Sequence, residues 1–98
     1  MIRHIVLFTA KDPKDVQIIH EGLSILRGIP AAKTLEVVLN ERHDALSNEI
    51  DVVVYGEFDD EAALAAYKAH PLYQESINRV RPLRETRIAV DYTAPAQD

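Results

Sequence analysis

The sequence predicts an α+β fold in which a four-stranded antiparallel sheet carries helices on one face. Three observations lead there. Strand-like and helix-like segments follow one another as strand, helix, strand, strand, helices, strand. The strand segments are apolar at both odd and even positions, so both faces of the sheet need cover. The chain has 98 residues, 47% of them apolar and 28% charged, which is globular composition at a length that holds one core, taken as a single domain over residues 1–98.

Ile2 to Thr9 (IRHIVLFT) is β-branched and aromatic enough for a first strand. Alternation puts His4, Val6 and Phe8 on one side and Ile5 and Leu7 on the other. Asp12-Pro13 opens a helix, with the aspartate as cap, the proline at the first helical position and Asp15 in the first turn. Val16, Ile19, Leu23 and Leu26 recur at helical spacing, and Gly28 and Pro30 end the run. Lys33 to Leu39 (KTLEVVL) is the second strand, and Asn40 to Glu49 is a polar, acidic loop. Asp51 to Phe58 (DVVVYGEF) is the third strand, with Val52, Val54 and Phe58 opposed to Val53 and Tyr55. Gly56 within it marks a bulge or a close approach.

Asp59 and Asp60 cap a second helix, Glu61 to His70, which Pro71 breaks. Tyr73, Ile77 and Val80 then give a short third helix, Leu72 to Arg81, stopped by Pro82. Arg87 to Tyr92 (RIAVDY) is the last strand, and Thr93 to Asp98 is a polar tail expected to fray. The order is the split βαβ arrangement of ferredoxin-like folds. The sheet face away from the helices then holds Ile5, Leu7, Val53, Tyr55, Ile88 and Val90. An apolar patch of that extent calls for a second copy packed sheet to sheet, a homodimer.

Composition removes several function classes. Eleven Lys+Arg against 16 Asp+Glu leave a net charge of −5, which argues against nucleic acid or an anionic membrane as partner. There is no cysteine, hence no disulfide, thiolate nucleophile or Cys-type metal site. No apolar run nears the roughly 20 residues of a membrane span, and no signal-peptide pattern precedes the first strand, so a cytoplasmic location is expected. The glycines are isolated, which excludes a phosphate loop, and Ser24, Ser47 and Ser76 lack the flanking glycines of a nucleophile elbow. Glu41, Asp44, Glu49 and Asp51 with His43 match no calcium-loop spacing and read as a solvated loop. Neither a metal nor a cofactor is expected.

The candidate site residues lie on the helix side. His4 is an acid–base group or ligand anchor in one reading and a hydrogen-bonded core histidine in the other. Tyr67 and Tyr73 stand on either side of the helix break and either pack with satisfied hydroxyls or reach one cleft. His70, before Pro71, caps carbonyls at the helix end or meets a ligand. Arg87 shares its side of the last strand with Ala89 and Asp91, and either pairs a ligand carboxylate in the cleft, or pairs Glu57 or Glu85, or is simply exposed.

The runs His4-Ile5-Val6-Leu7-Phe8, Tyr67-Lys68-Ala69-His70-Pro71-Leu72-Tyr73-Gln74, Val80-Arg81-Pro82-Leu83 and Ile88-Ala89-Val90-Asp91-Tyr92 together resemble the stress-responsive dimeric α+β barrel (Dabb) family over nearly the whole length. The resemblance implies a homodimer whose two sheets close into a barrel, with a cleft in each subunit between sheet and helices. The family includes plant stress proteins without clear catalysis and a plant polyketide cyclase. In that cyclase a Tyr in helix two and a His just after the His-Pro pair act in the cleft. Tyr67 matches the Tyr, while Tyr73 stands where the second His would be, so the cyclase's own mechanism does not carry over.

The expected function is binding of a small molecule in a cleft lined by His4, Val6, Phe8, Val54, Tyr67 and Tyr73. Its enzymatic version is a lyase- or cyclase-like reaction on a carbonyl compound, with His4 as base and a Tyr hydroxyl at the developing enolate oxygen. The alternative is a non-enzymatic stress or structural dimer.

Overall fold

The computed structural model describes residues 1–96. The elements run β1 (Ile2–Ala10), α1 (Val16–Ser24), β2 (Thr34–Leu39), β3 (Val52–Phe58), α2 (Glu61–Ala69), α3 (Pro71–Val80) and β4 (Arg84–Thr93). They form one sheet of order β2-β3-β1-β4 with every neighbouring pair antiparallel. The predicted α+β, ferredoxin-like topology is the observed one.

Local chemistry sets the boundaries. The first helical segment is α1 flanked by tight 3-10 turns at Pro13–Asp15 and Ile25–Gly28, instead of one continuous helix. Asp60 accepts from the Ala63 N–H at 2.8 Å and caps α2. That helix stops at Ala69, because His70 precedes a proline and takes extended geometry (φ −69°, ψ 141°). β4 begins at Arg84, before the expected Arg87. Lys11 N–H donates to the Leu83 carbonyl at 2.9 Å and Thr86 N–H to Thr9 Oγ1 at 3.0 Å, which extends the pairing past a register shift between Thr9 and Ala10. The far end also exceeds expectation. Thr93 pairs with Ile2, and Ala94 N–H reaches the Met1 carbonyl at 2.9 Å, so the start of the expected tail belongs to the sheet. Gln97 and Asp98 of that tail lie outside the described residues.

Burial alternates along β1 and β3 as a one-sided core requires. Val6, Phe8, Val52, Val54 and Phe58 from the sheet meet Ile19, Leu23 and Leu26 from the α1 segment. Gly56 is a close approach and not a bulge, since the register runs unbroken through it and an added Cβ would fall 2.8 Å from the Phe58 ring. Helices α1 and α3 also cross tightly. A Cβ at Gly22 would lie 2.9 Å from Val80 Cγ2, and the buried Ser76 hydroxyl donates to the Gly22 carbonyl at 3.0 Å.

The opposite sheet face is apolar and open. Val38, Ile88, Val90 and Tyr92 are exposed there beside half-buried Ile5, Leu7, Val53 and Tyr55. One end of this face is polar: Tyr55 OH donates to Glu57 Oε2 at 2.6 Å and the Arg3 guanidinium to Tyr92 OH at 3.2 Å. The first bond, ahead of smaller effects, holds the Glu57 carboxyl below its ordinary range and raises the Tyr55 phenol.

Candidate functional site

His4 sits on the core side of β1 and is 1% exposed. A buried imidazole needs a partner, and the sheet supplies one. Register places Asp91 of β4 directly opposite His4, and His4 Nδ1 bonds to Asp91 Oδ1. An ionised carboxylate only accepts, so Nδ1 carries a proton, and in the neutral ring Nε2 keeps a lone pair for whatever enters beside it.

Tyr67, in the last turns of α2, is 1% exposed. Its ring packs on Phe58 at 4.9 Å and meets His4 and Tyr73 edge-on at 6.2 and 5.3 Å. Burial pushes its hydroxyl well above the ordinary phenol value, so it stays a proton donor across the neutral range. The break at Pro71 swings α3 so that Tyr73, six residues on, returns to the same place. Its hydroxyl accepts from the Arg87 guanidinium at 3.4 Å.

These groups line one cavity of about 270 Å³ between sheet and helices. His4, Val6, Phe8 and Val54 form its sheet side, and Tyr67, Tyr73, Ser76 and Val80 its helix side. Leu23, Leu26 and Ile77 add apolar wall, and Arg81, Arg84 and Arg87 complete the lining. Seven of the eight candidate residues therefore converge. His70 does not border the cavity. It occupies the N-cap of α3, where Nδ1 accepts from the Leu72 N–H at 3.1 Å. It caps the amides of the helix that follows, not the carbonyls of the helix that ends.

Asp91, Arg84, Arg81 and Ser76 were not among the candidates. Asp91 was within reach of sequence logic, because it is the acid on the helix side of the last strand and a buried His4 needs an acceptor. Arg84 was not. In a regular strand it would face away from Arg87; the bulge at Glu85 turns both to one side. In the acidic loop, Asp51 accepts from the Ala10 N–H at 2.8 Å and the Arg42 guanidinium at 2.5 Å, which is structural use. Among the described residues no three His, Cys, Asp or Glu side chains are grouped to hold a metal ion, and no helix is long and apolar enough to cross a membrane.

The family profile for the stress responsive A/B barrel domain (Dabb) matches residues 2–94. The chain belongs to the Dabb family. Among solved structures, this Dabb chain is similar to a dimeric ferredoxin-like protein of unknown function from Thermobifida fusca, at 29% identity over 95% of this chain and 90% of that one, with a TM-score of 0.79. A Dabb protein from Mesorhizobium loti matches at 24% identity, 97% of each chain and a TM-score of 0.77. A putative antibiotic biosynthesis monooxygenase from Nitrosomonas europaea matches at 17%, over 96% and 98%, with a TM-score of 0.77. The last two share the Dabb chain's fold. No curated protein matches it by sequence.

Proposed function

We propose that this Dabb chain is a homodimer, paired through its open sheet face, that binds a small carbonyl compound in the cavity and catalyses lyase- or cyclase-like proton transfer on it. The observation that carries the reading is the meeting of the Asp91-held His4 and the Tyr67 hydroxyl in one cavity. With Nδ1 committed to Asp91, Nε2 is the base that takes a proton from the carbon next to the carbonyl. The electron pair left behind moves onto the carbonyl oxygen, and Tyr67 donates a hydrogen bond to that oxygen as its charge grows. Tyr73 packs edge-on against Tyr67 and steadies its ring. The exposed apolar face and the dimeric Thermobifida fusca relative support the pairing.

The test is exchange of the methyl protons of acetophenone in D₂O, followed by proton NMR. The wild type is expected to exceed buffer, His4→Gln to abolish the excess and Tyr67→Phe to lower it by about tenfold or more. Exchange no faster than buffer, or unchanged in His4→Gln, would remove the catalytic role. A dimer with no ligand response in its cavity amides would leave the alternative, a structural stress dimer, which the apolar face favours.

A further inference from the structure

Three guanidinium groups line the cavity, and no carboxylate among the described residues does. Arg81 follows α3, Arg84 and Arg87 stand on β4, and among the described residues no Asp or Glu borders the space, although the chain carries 16 of them. None of the three arginines has a carboxylate partner among the described residues, whereas Arg42 and Arg79 pair with Asp51 and Glu75. Arg87 uses one nitrogen on Tyr73 OH, which positions its fork without neutralising it. A bulge that costs β4 a regular ladder step brings Arg84 to the same side. Arg84 is half-buried and Arg81 and Arg87 are exposed, so the uncompensated positive charge lies at the cavity's open end, where it draws an anion toward an otherwise acidic protein.

The remaining walls limit its shape. About 270 Å³ is small for a ligand cavity, and Val6, Phe8, Val54, Leu23 and Val80 contribute apolar surface. Arg87 pairs with Phe8 and Asp91 with His4, so the cationic and His4 ends are four residues apart along β1, about 13 Å between backbones at roughly 3.3 Å per residue. Side chains projecting inward from both ends leave room for one ring or a short chain.

We propose that the cavity takes a compact monocarboxylate, its carboxylate against Arg84 and Arg87 and a carbonyl oxygen at the far end beside His4 and Tyr67. This rests on the reading of the cavity as a carbonyl site. The forked guanidinium matches a planar carboxylate in two parallel hydrogen bonds.

The experiment compares 4-acetylbenzoate with its neutral isostere 4-acetylbenzamide by calorimetry and by amide NMR on the whole chain. The acid is expected to bind about tenfold or more tighter than the amide. Arg84→Gln and Arg87→Gln should each remove most of that preference by weakening the acid far more than the amide, and high salt should narrow it. Equal affinity for acid and amide, or acid binding indifferent to both substitutions, would overturn the proposal. If the amide still shifts the His4 and Tyr67 resonances in that case, the carbonyl site stands and only its anion selectivity falls. If neither probe moves them, both readings fall.

Discussion

Tyr67 combines near-complete burial with a hydroxyl whose pKa lies above the ordinary phenol value, chiefly through desolvation. An acid with a raised folded-state pKa contributes its full stability while the unfolded chain is also protonated, below about pH 10. Above that, the unfolded phenol loses its proton first, and stability falls as the pH climbs toward the folded value. Urea unfolding between about pH 8 and pH 12 should therefore show the wild type losing up to about 1.4 kcal/mol per pH unit more than Tyr67→Phe. Parallel curves would mean that the hydroxyl is solvated in the folded state. At this scale much of the site was legible. Side-chain alternation put His4, Val6, Phe8, Val54 and Arg87 on the helix side, and the Pro71 break left Tyr67 and Tyr73 free to meet. What escaped was pairwise: the acceptor for His4 depended on strand register, and Arg84 on a bulge that no residue type announces.

Gly22 shows what one missing methyl does for an element. The glycine lets α1 and α3 approach until Ser76 Oγ reaches its carbonyl, with Val80 against its Cα. Alanine would gain about 1 kcal/mol of helix propensity, but its methyl would press on a buried, branched side chain, at about 1–3 kcal/mol. Gly22→Ala should be net destabilising by about 1 kcal/mol in urea unfolding, and the double variant with Val80→Ala should show less than additive loss. A stabilised Gly22→Ala would mean that the crossing can open without cost. The helices were legible from caps and apolar spacing, since Asp12, Asp60 and Pro71 act within a turn of themselves. The early start of β4 was not, because it rests on Leu83 and Thr86 finding Lys11 and Thr9 more than 70 positions away.

The molecule as a whole has one covered face and one bare one, and the bare one makes the homodimer testable. Val53 lies amid that face between Leu7 and Val38. In Val53→Glu two carboxylates would be desolvated against each other across the dimer axis, weakening association by several kcal/mol. Sedimentation velocity should read a dimer for the wild type and a monomer for the variant, with circular dichroism unchanged. An intact dimer in both Val53→Glu and Ile5→Glu would place the contact elsewhere. The alternation that exposes this face was plain from sequence, while the dimeric state was implied by the extent of the apolar patch and by the family resemblance. One further consequence lies in time. The strand that opens the chain is central in the sheet, and its outer neighbour, with Asp91 and two of the arginines, comes last of the four. On a ribosome adding about 5–20 residues per second, β1 waits roughly 4–15 s for β4. Through that interval His4 has no carboxylate, the cavity has no cationic wall, and one edge of the central strand stands open, so the nascent chain is most prone to wrong pairing just before it becomes able to bind anything.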